Sequence, residues 1–388
     1  MKDRLPPPGA DALEHSLLLA ARISDGIRAE GGWIGFDQFM ARALFEPGLG
    51  YYSGGSRKFG AEGDFVTAPE ISPLFGRTLA RQLGQIMAAS AHEIIEVGAG
   101  TGRLACDLLL ELEALGCLPV RYAILELSGE LRARQAESLN EHVPHLIERV
   151  VWLDGLPEQF SGVIIANEVL DVMPVQLVVW RDGEIFERGV ALDAEGGFRW
   201  EDKPARGELL RAAQALPVGM PEAGEYLSEI CLAARAWVAG WASRLQQGAM
   251  ILIDYGYPQA EYYLPNRSTG TLQCYYRHHA HPDVLLWPGL NDITSFVDFT
   301  AIAEAGHAAG LAVEGYTTQA TFLNNCGLLE LLADVGPVES VEYLRASRAA
   351  LRLVAPHEMG ELFKVLVFAR GLALPIQGLM RGDRTHAL

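Results

Sequence analysis

Apolar residues recur at helical spacing over residues 10–30, where Leu13, Leu17, Ala20, Ala21 and Ile27 share a face. Phe36–Leu44 predicts a second, short helix, and Pro73–Ala89 a third. Between them lies an irregular segment, 47–70, rich in glycine and aromatic residues. From His92 the pattern changes to short, continuous apolar runs: Glu93–Val97, Tyr122–Leu127, Val150–Leu153, Gly162–Ala166 and Met250–Asp254. Such runs are typical of strands buried on both faces. Helical stretches at 103–115 and Gly129–Leu139 separate the first of them. Ala312–Tyr316 and Lys364–Ala369 would complete a seven-stranded, mostly parallel sheet. Strands alternating with helices predict a Rossmann-like α/β architecture. Two insertions interrupt it. In the first, Val175–Trp180, Glu184–Ala191 and Phe198–Trp200 alternate in polarity and are broken by Asp182-Gly183 and Gly196-Gly197, which are hairpin signals. Residues 204–221 read as partly helical or loose, and Ala223–Gln246 as a helix returning to the sheet. The expected organisation is a helical N-terminal addition (1–90) carrying the aromatic, glycine-rich segment, an α/β domain (91–370) with insertions at 175–245 and 255–298, and a C-terminal tail (371–388).

Composition narrows the function classes. Of 388 residues, 49% are hydrophobic and 21% charged, as in globular proteins. The formal net charge of −18 argues against a nucleic-acid partner, which needs a basic footprint, and is compatible with a cationic substrate. Five scattered cysteines (Cys106, Cys117, Cys231, Cys274, Cys326) show no CxxC pair, so neither zinc ligation nor a disulfide framework is expected. The N-terminus has neither a cationic region leading into an apolar core nor an Arg-rich, acid-free character, and no apolar run approaches the length of about 18 residues that spans a membrane. The expectation is a cytoplasmic bacterial protein.

The densest chemistry lies in Glu96-Val97-Gly98-Ala99-Gly100-Thr101-Gly102-Arg103, between a strand and a helix. Glycines permit positive φ and close approach of a ligand to the backbone. A dinucleotide fingerprint reads G-x-G-x-x-G. Here the third glycine comes one residue early, and Arg103 stands where that pattern has Gly or Ala. Glu96, read as part of the turn, would repel a pyrophosphate and suit an ammonium group or ribose hydroxyls. S-adenosylmethionine is therefore favoured over NAD or FAD, with Glu96, Gly98, Gly100 and Gly102 as cofactor-binding residues.

Ligands of open parallel sheets bind beyond the carboxyl ends of the strands. Glu126, ending the second strand in Ile124-Leu125-Glu126-Leu127-Ser128, can accept both ribose hydroxyls, although NAD enzymes use an acid at the same place. Leu127, Asp154 and Asn167 complete the expected cofactor set, Asp154 near the adenine or simply in a turn. Asn167, Glu168 and Asp171 emerge straight from the fourth strand. A helical turn would put Glu168 and Asp171 on one side, and paired carboxylates suit a guanidinium, whose planar fork they match. First-turn acids are also ordinary helix starts. Asp254-Tyr255-Gly256 ends the fifth strand and can face the same cleft. His278, His279 and His281 lack further ligands at metal spacing, so no metal is expected, and a general base or loop scaffold fits them better.

The chain resembles the MidA family, methyltransferases related to the mitochondrial complex I assembly factor that methylates arginine. The resemblance covers about residues 15–370 and is carried by Ile34–Met40, Gly50-Tyr51-Tyr52, Gly63–Ser72, Glu96–Gly102, Leu125–Ser128, Asn167-Glu168 with Asp171 and Pro174-Val175, Asp254-Tyr255-Gly256, Gly270-Thr271 with His278 and His281, Gly289, Asp292-Ile293-Thr294, Val297-Asp298-Phe299, Met359-Gly360 and Phe363-Lys364-Val365. It implies a class I S-adenosylmethionine-dependent methyltransferase fold. It also implies a protein substrate with an arginine nitrogen as acceptor, and a complex I subunit as the target in mitochondrial relatives. On that reading Gly63–Ser72 walls the methyl end, Asn167, Glu168 and Asp171 serve the acceptor, and the protein can pair as a homodimer. The alternatives are a methyltransferase with a small-molecule or oxygen acceptor, and an assembly factor that binds the cofactor and transfers nothing. A nicotinamide enzyme ranks below both.

Overall fold

A computed structural model of the chain describes residues 5–54, 66–218 and 224–388. They form two compact units, each assembled from three stretches of sequence. Among the described residues, the first comprises 5–54, 170–218, 224–235 and 259–296, and the second 66–169, 236–258 and 297–388.

The second unit is the α/β body. Its strands are β1 (Glu93–Val97), β2 (Arg121–Leu125), β3 (Val150–Leu153), β4 (Phe160–Asn167), β5 (Leu245–Tyr257), β6 (Ala312–Thr318) and β7 (Phe363–Arg370). They lie in the order β3-β2-β1-β4-β5-β7-β6, and the two-residue strand Val297–Asp298 pairs beside β5 to make eight in all. From β3 to β5 every pairing is parallel, whereas β7 runs antiparallel to both its neighbours. The sheet is thus mixed with a parallel core, and each of the seven apolar runs has become a strand. Ile94, Val163, Ile165, Ile251 and Val367 are buried together under the helices Pro73–Ala89 and Arg103–Ala114. Ser72 caps the first of these helices, its Oγ accepting the Leu74 N–H at 3.2 Å. Chain order reverses between β1 and β4, which is the switch point where such sheets bind ligands.

The first unit holds the helices Ala10–Ala29 and Phe36–Phe45 and a five-stranded antiparallel sheet. Its path runs Trp33–Gly35, Glu184–Leu192, Gln176–Arg181, Glu225–Ile230, with Phe198–Pro204 pairing on Glu184–Leu192. The two hairpins expected from Asp182-Gly183 and Gly196-Gly197 are present. Leu19, Ile23, Phe36, Phe39, Leu177 and Val190 form its core.

One expected element is corrected. The helix read over Ala223–Gln246 is a strand, Glu225–Ile230, followed by a shorter helix, Leu232–Ala242. The strand pairs along its whole length with Gln176–Arg181, burying Tyr226 and Ile230. Glu229 fixes it further, accepting the Thr271 and Leu272 N–H groups at 2.9 and 3.0 Å and the Tyr262 hydroxyl at 3.1 Å. Non-local ladder bonds outweigh the helical composition of the segment.

Candidate active site

Within the α/β unit, the turn after β1 carries three glycines with positive φ: Gly98 (67°), Gly100 (53°) and Gly102 (83°). Gly102 then caps the helix Arg103–Ala114. The turn is supported from two sides. A side chain at Gly98 would meet Val169 Cγ2 at 3.0 Å, and one at Gly102 would meet Gln135 Cα at 3.2 Å. At Gly100 it would meet nothing within 4 Å. The Thr101 hydroxyl donates to the Glu70 carboxylate, which brings the short helix Ala68–Ile71 against the turn. That helix belongs to the Gly63–Ser72 wall expected from sequence; Gly63–Phe65 lie outside the described residues.

Glu96 departs from its expected setting. It lies inside β1 rather than in the turn, and it is buried, accepting the Tyr122 hydroxyl at 2.7 Å. Burial raises its pKa to about 7; the Tyr122 bond opposes that shift and the charge of Glu126 adds to it. A carboxyl that titrates near neutrality repels a pyrophosphate less than a fixed charge would. Discrimination against a dinucleotide therefore rests more on glycine spacing than on Glu96.

Glu126 follows β2 and is buried. Its Oε1 accepts the Ser128 N–H at 2.9 Å and its Oε2 accepts Gln135 Nε2 at 3.1 Å. Burial raises its pKa, and these bonds and Arg132 oppose the rise. Leu127 is exposed, an apolar side chain directly after that acid. Asp154 is exposed after β3 and pairs with Arg132 at 2.7 Å. Arg132 also donates to the carbonyls of Glu126 (2.7 Å) and Leu153 (2.5 Å), tying the ends of β2 and β3 together.

At the end of β4, Asn167 Nδ2 donates to Glu168 Oε1 at 3.1 Å. Asn167 Oδ1 is buried with no hydrogen-bond partner among the described residues. The chain from Asn167 to Pro174 contains bends and a turn but no helix, so the expected helical turn presenting Glu168 and Asp171 on one side is absent. Glu168 instead has φ = 53°, a conformation that costs a non-glycine residue about 1–2 kcal/mol. The next strand fixes this path: Ile253 O accepts the Glu168 N–H at 2.9 Å, and Asp254 Oδ2 accepts the Val169 N–H at 3.1 Å. Asp254 is buried, and its Oδ1 accepts the Tyr255 N–H at 2.9 Å. Asp254→Asn would turn one acceptor into a donor facing a backbone N–H. A stability loss of about 1–3 kcal/mol is expected in urea denaturation, with the Val169 amide exchanging early in hydrogen-exchange measurements.

Asp171 lies in the first unit. It is buried, and its carbonyl accepts the Ser295 N–H at 2.9 Å. In the same unit the Tyr52 hydroxyl donates to Asp292 Oδ1 at 2.9 Å. Burial, then the charges of Asp292, Tyr51 and Asp171, push the Tyr52 pKa well up. Asp171 and Asp292, distant in sequence, thus act on one tyrosine. His281 is buried with Nε2 3.0 Å from Asn291 Oδ1, whereas His278 and His279 are exposed. Among the described residues no group of three or more His, Cys, Asp or Glu side chains is placed to hold a metal.

The glycine turn, Glu126 and the open oxygen of Asn167 fit an adenosyl ligand with a charged amino-acid tail. Sequence reasoning missed Gln135, Arg132 and Tyr122. Gln135 was findable: with Leu131 and Leu139 it forms the buried stripe of the helix Gly129–His142, an odd place for an amide.

Comparison with known proteins supports S-adenosylmethionine as the cofactor. Residues 74–317 match a family described as "Putative S-adenosyl-L-methionine-dependent methyltransferase". A Burkholderia thailandensis protein crystallised with S-adenosyl-homocysteine is 48% identical, covering 99% of this chain and 100% of its own, with a TM-score of 0.95. "Protein arginine methyltransferase NDUFAF7, mitochondrial" from Danio rerio is 28% identical over 365 residues, 86% of this chain and 82% of the relative. Its Homo sapiens counterpart is 29% identical, over 89% and 81%. Among the described residues no helix is long and apolar enough to cross a membrane. With its sheet order, its glycine turn and more than half its length matched, the chain belongs to this family of S-adenosyl-L-methionine-dependent methyltransferases.

Proposed function

We propose that the protein methylates an arginine guanidinium nitrogen of a protein substrate, with Asn167, Glu168 and Asp171 serving the acceptor and Glu126 holding the cofactor ribose. The observation that carries this reading is the polar set at the end of β4. Asn167 is hydrogen-bonded to Glu168, its buried Oδ1 is left without a partner among the described residues, and Glu168 is held in a costly left-handed conformation. Strain of that kind persists where the surroundings over-determine it, often at functional sites. The names of the mitochondrial relatives support arginine as the acceptor.

The cofactor supplies an electrophilic methyl group on a sulfonium. In the transfer the nitrogen lone pair forms the new N–C bond as the C–S bond breaks, and the electron pair stays on sulfur. A guanidinium is protonated up to a pH of about 12. The carboxylates therefore orient the nitrogen, delocalise charge away from it and take its proton as the methyl arrives. Catalysis of this kind consists of positioning and electrostatics.

The test is incubation with methyl-labelled cofactor and arginine-containing protein, including the complex I subunit that the mitochondrial relationship points to, followed by hydrolysis and identification of the labelled residue. Labelled methylarginine is expected. Label in another residue or a small molecule, or no label at all, defeats the reading. Glu168→Gln and Asp171→Asn should each lower kcat/KM about tenfold, the worth of one charged hydrogen bond, with unchanged affinity for S-adenosyl-homocysteine.

A further inference from the structure

Gln135 stands outside every role assigned above, yet three elements of the cofactor side converge on its side chain. It is fully buried. Nε2 donates to Gly100 O at 3.1 Å and to Glu126 Oε2 at 3.1 Å, while Oε1 accepts the Trp152 indole N–H at 2.9 Å. A glutamine amide has two N–H donors and one carbonyl oxygen. Both donors face acceptors here and the oxygen faces a donor, so the amide has one orientation. Flipping it would set oxygen against two oxygens and N–H against N–H, losing all three bonds. The backbone is close as well, since a Cβ added at Gly102 would stand 3.2 Å from Gln135 Cα.

We propose that Gln135 is a positioning residue that clamps the glycine turn, through Gly100, to the ribose-side carboxylate of Glu126. The inference rests on the reading of Glu126 as the ribose acid. Glu126 needs both oxygens aimed and ionised to accept two hydroxyls. Ser128 fixes Oε1 and Gln135 fixes Oε2, and a carboxylate keeps lone pairs beyond those two bonds. Because both bonds are donated to the carboxylate, they favour its charged form. The charged groups acting on Glu126 are Glu96, from β1, and Arg132, from the same helix as Gln135; Arg132 is itself paired with Asp154. None of them replaces the Gln135 donor to Oε2.

Gln135→Met keeps the length and removes the donors. Titration calorimetry with S-adenosyl-homocysteine from about pH 5 to about pH 8 reads two quantities: affinity at neutral pH, and the pH at which affinity falls away on the acid side. Gln135→Met should bind about tenfold more weakly, and its acid limb should move to higher pH, because Glu126 loses a bond that favours ionisation. Trp152→Phe, a milder change that releases only the amide oxygen, should weaken binding about threefold in the same direction. It keeps the test informative if Gln135→Met folds poorly in thermal melts. Glu126→Gln separates the two readings. If it binds as the natural protein does, the ribose assignment falls and the clamp with it. If Glu126→Gln is weak but Gln135→Met and Trp152→Phe match the natural protein in affinity, or keep its acid limb in place, the ribose assignment stands and the clamp is overturned.

Discussion

Gly100→Val is expected to weaken binding of S-adenosyl-homocysteine roughly 100-fold or more while leaving the fold in place. The three glycines of the turn differ in what a side chain would meet. At Gly98 it meets Val169 Cγ2 at 3.0 Å, and at Gly102 the backbone of Gln135 at 3.2 Å. At Gly100 it meets nothing within 4 Å, so valine there points into open space. The cost to the protein is that of placing a non-glycine residue at φ = 53°, about 1–2 kcal/mol. The cost to the ligand is larger, since two added methyl groups occupy the side from which it must approach the backbone. Gly102→Ala should behave in the opposite way, lowering the melting temperature more than Gly100→Val does through its contact with Gln135. Calorimetry and thermal melting on both variants check this. Undiminished affinity in Gly100→Val would remove the cofactor from this turn.

The parallel core was legible because it is encoded locally. β2, β3 and β4 are short apolar runs closed or followed by a polar residue (Glu126, Asp154, Asn167), and β1 and β5 contain such runs, so these buried strands stand out in the sequence. The glycine turn was legible for the same reason. What escaped depends on partners remote in sequence. Glu225–Ile230 sits in a stretch of helical composition and becomes a strand because Gln176–Arg181 offers a ladder. The spacing of Glu168 and Asp171 suits a helical turn, but Ile253 and Asp254, some eighty residues on, take the Glu168 and Val169 amides and set another path. Polar positions at the end of β4 were therefore readable, and their geometry was not. Gln135 lies between these cases: its place on the stripe with Leu131 and Leu139 marks it as unusual, but only the fold shows that Gly100, Glu126 and Trp152 surround it.

The second large effect concerns Glu96, which decides how stability responds to pH. Its folded pKa of about 7 lies above the ordinary glutamate value of 4.5, chiefly because the side chain is buried. The folded state therefore holds a proton that the unfolded chain has already released between those values. The stability this proton supplies is fully present below the unfolded pKa and is lost as pH rises through the folded one. The gap corresponds to on the order of 3 kcal/mol. Glu96→Gln removes the titrating group while keeping an oxygen that can accept the Tyr122 hydroxyl. The new amide N–H2 has to find an acceptor, at a cost of about 1–3 kcal/mol if it does not, but that cost is the same at every pH. The informative quantity is therefore a double difference. Between about pH 4.5 and about pH 8, the melting temperature of the natural protein should fall relative to that of Glu96→Gln by roughly 4 °C for a chain of this length. The contribution of Glu126 is common to both proteins and largely cancels. Parallel pH profiles would mean that Glu96 is ionised in the folded state throughout. The strand β1 would then carry a fixed negative charge two residues before Gly98, and the repulsion of a pyrophosphate would again bear on cofactor choice.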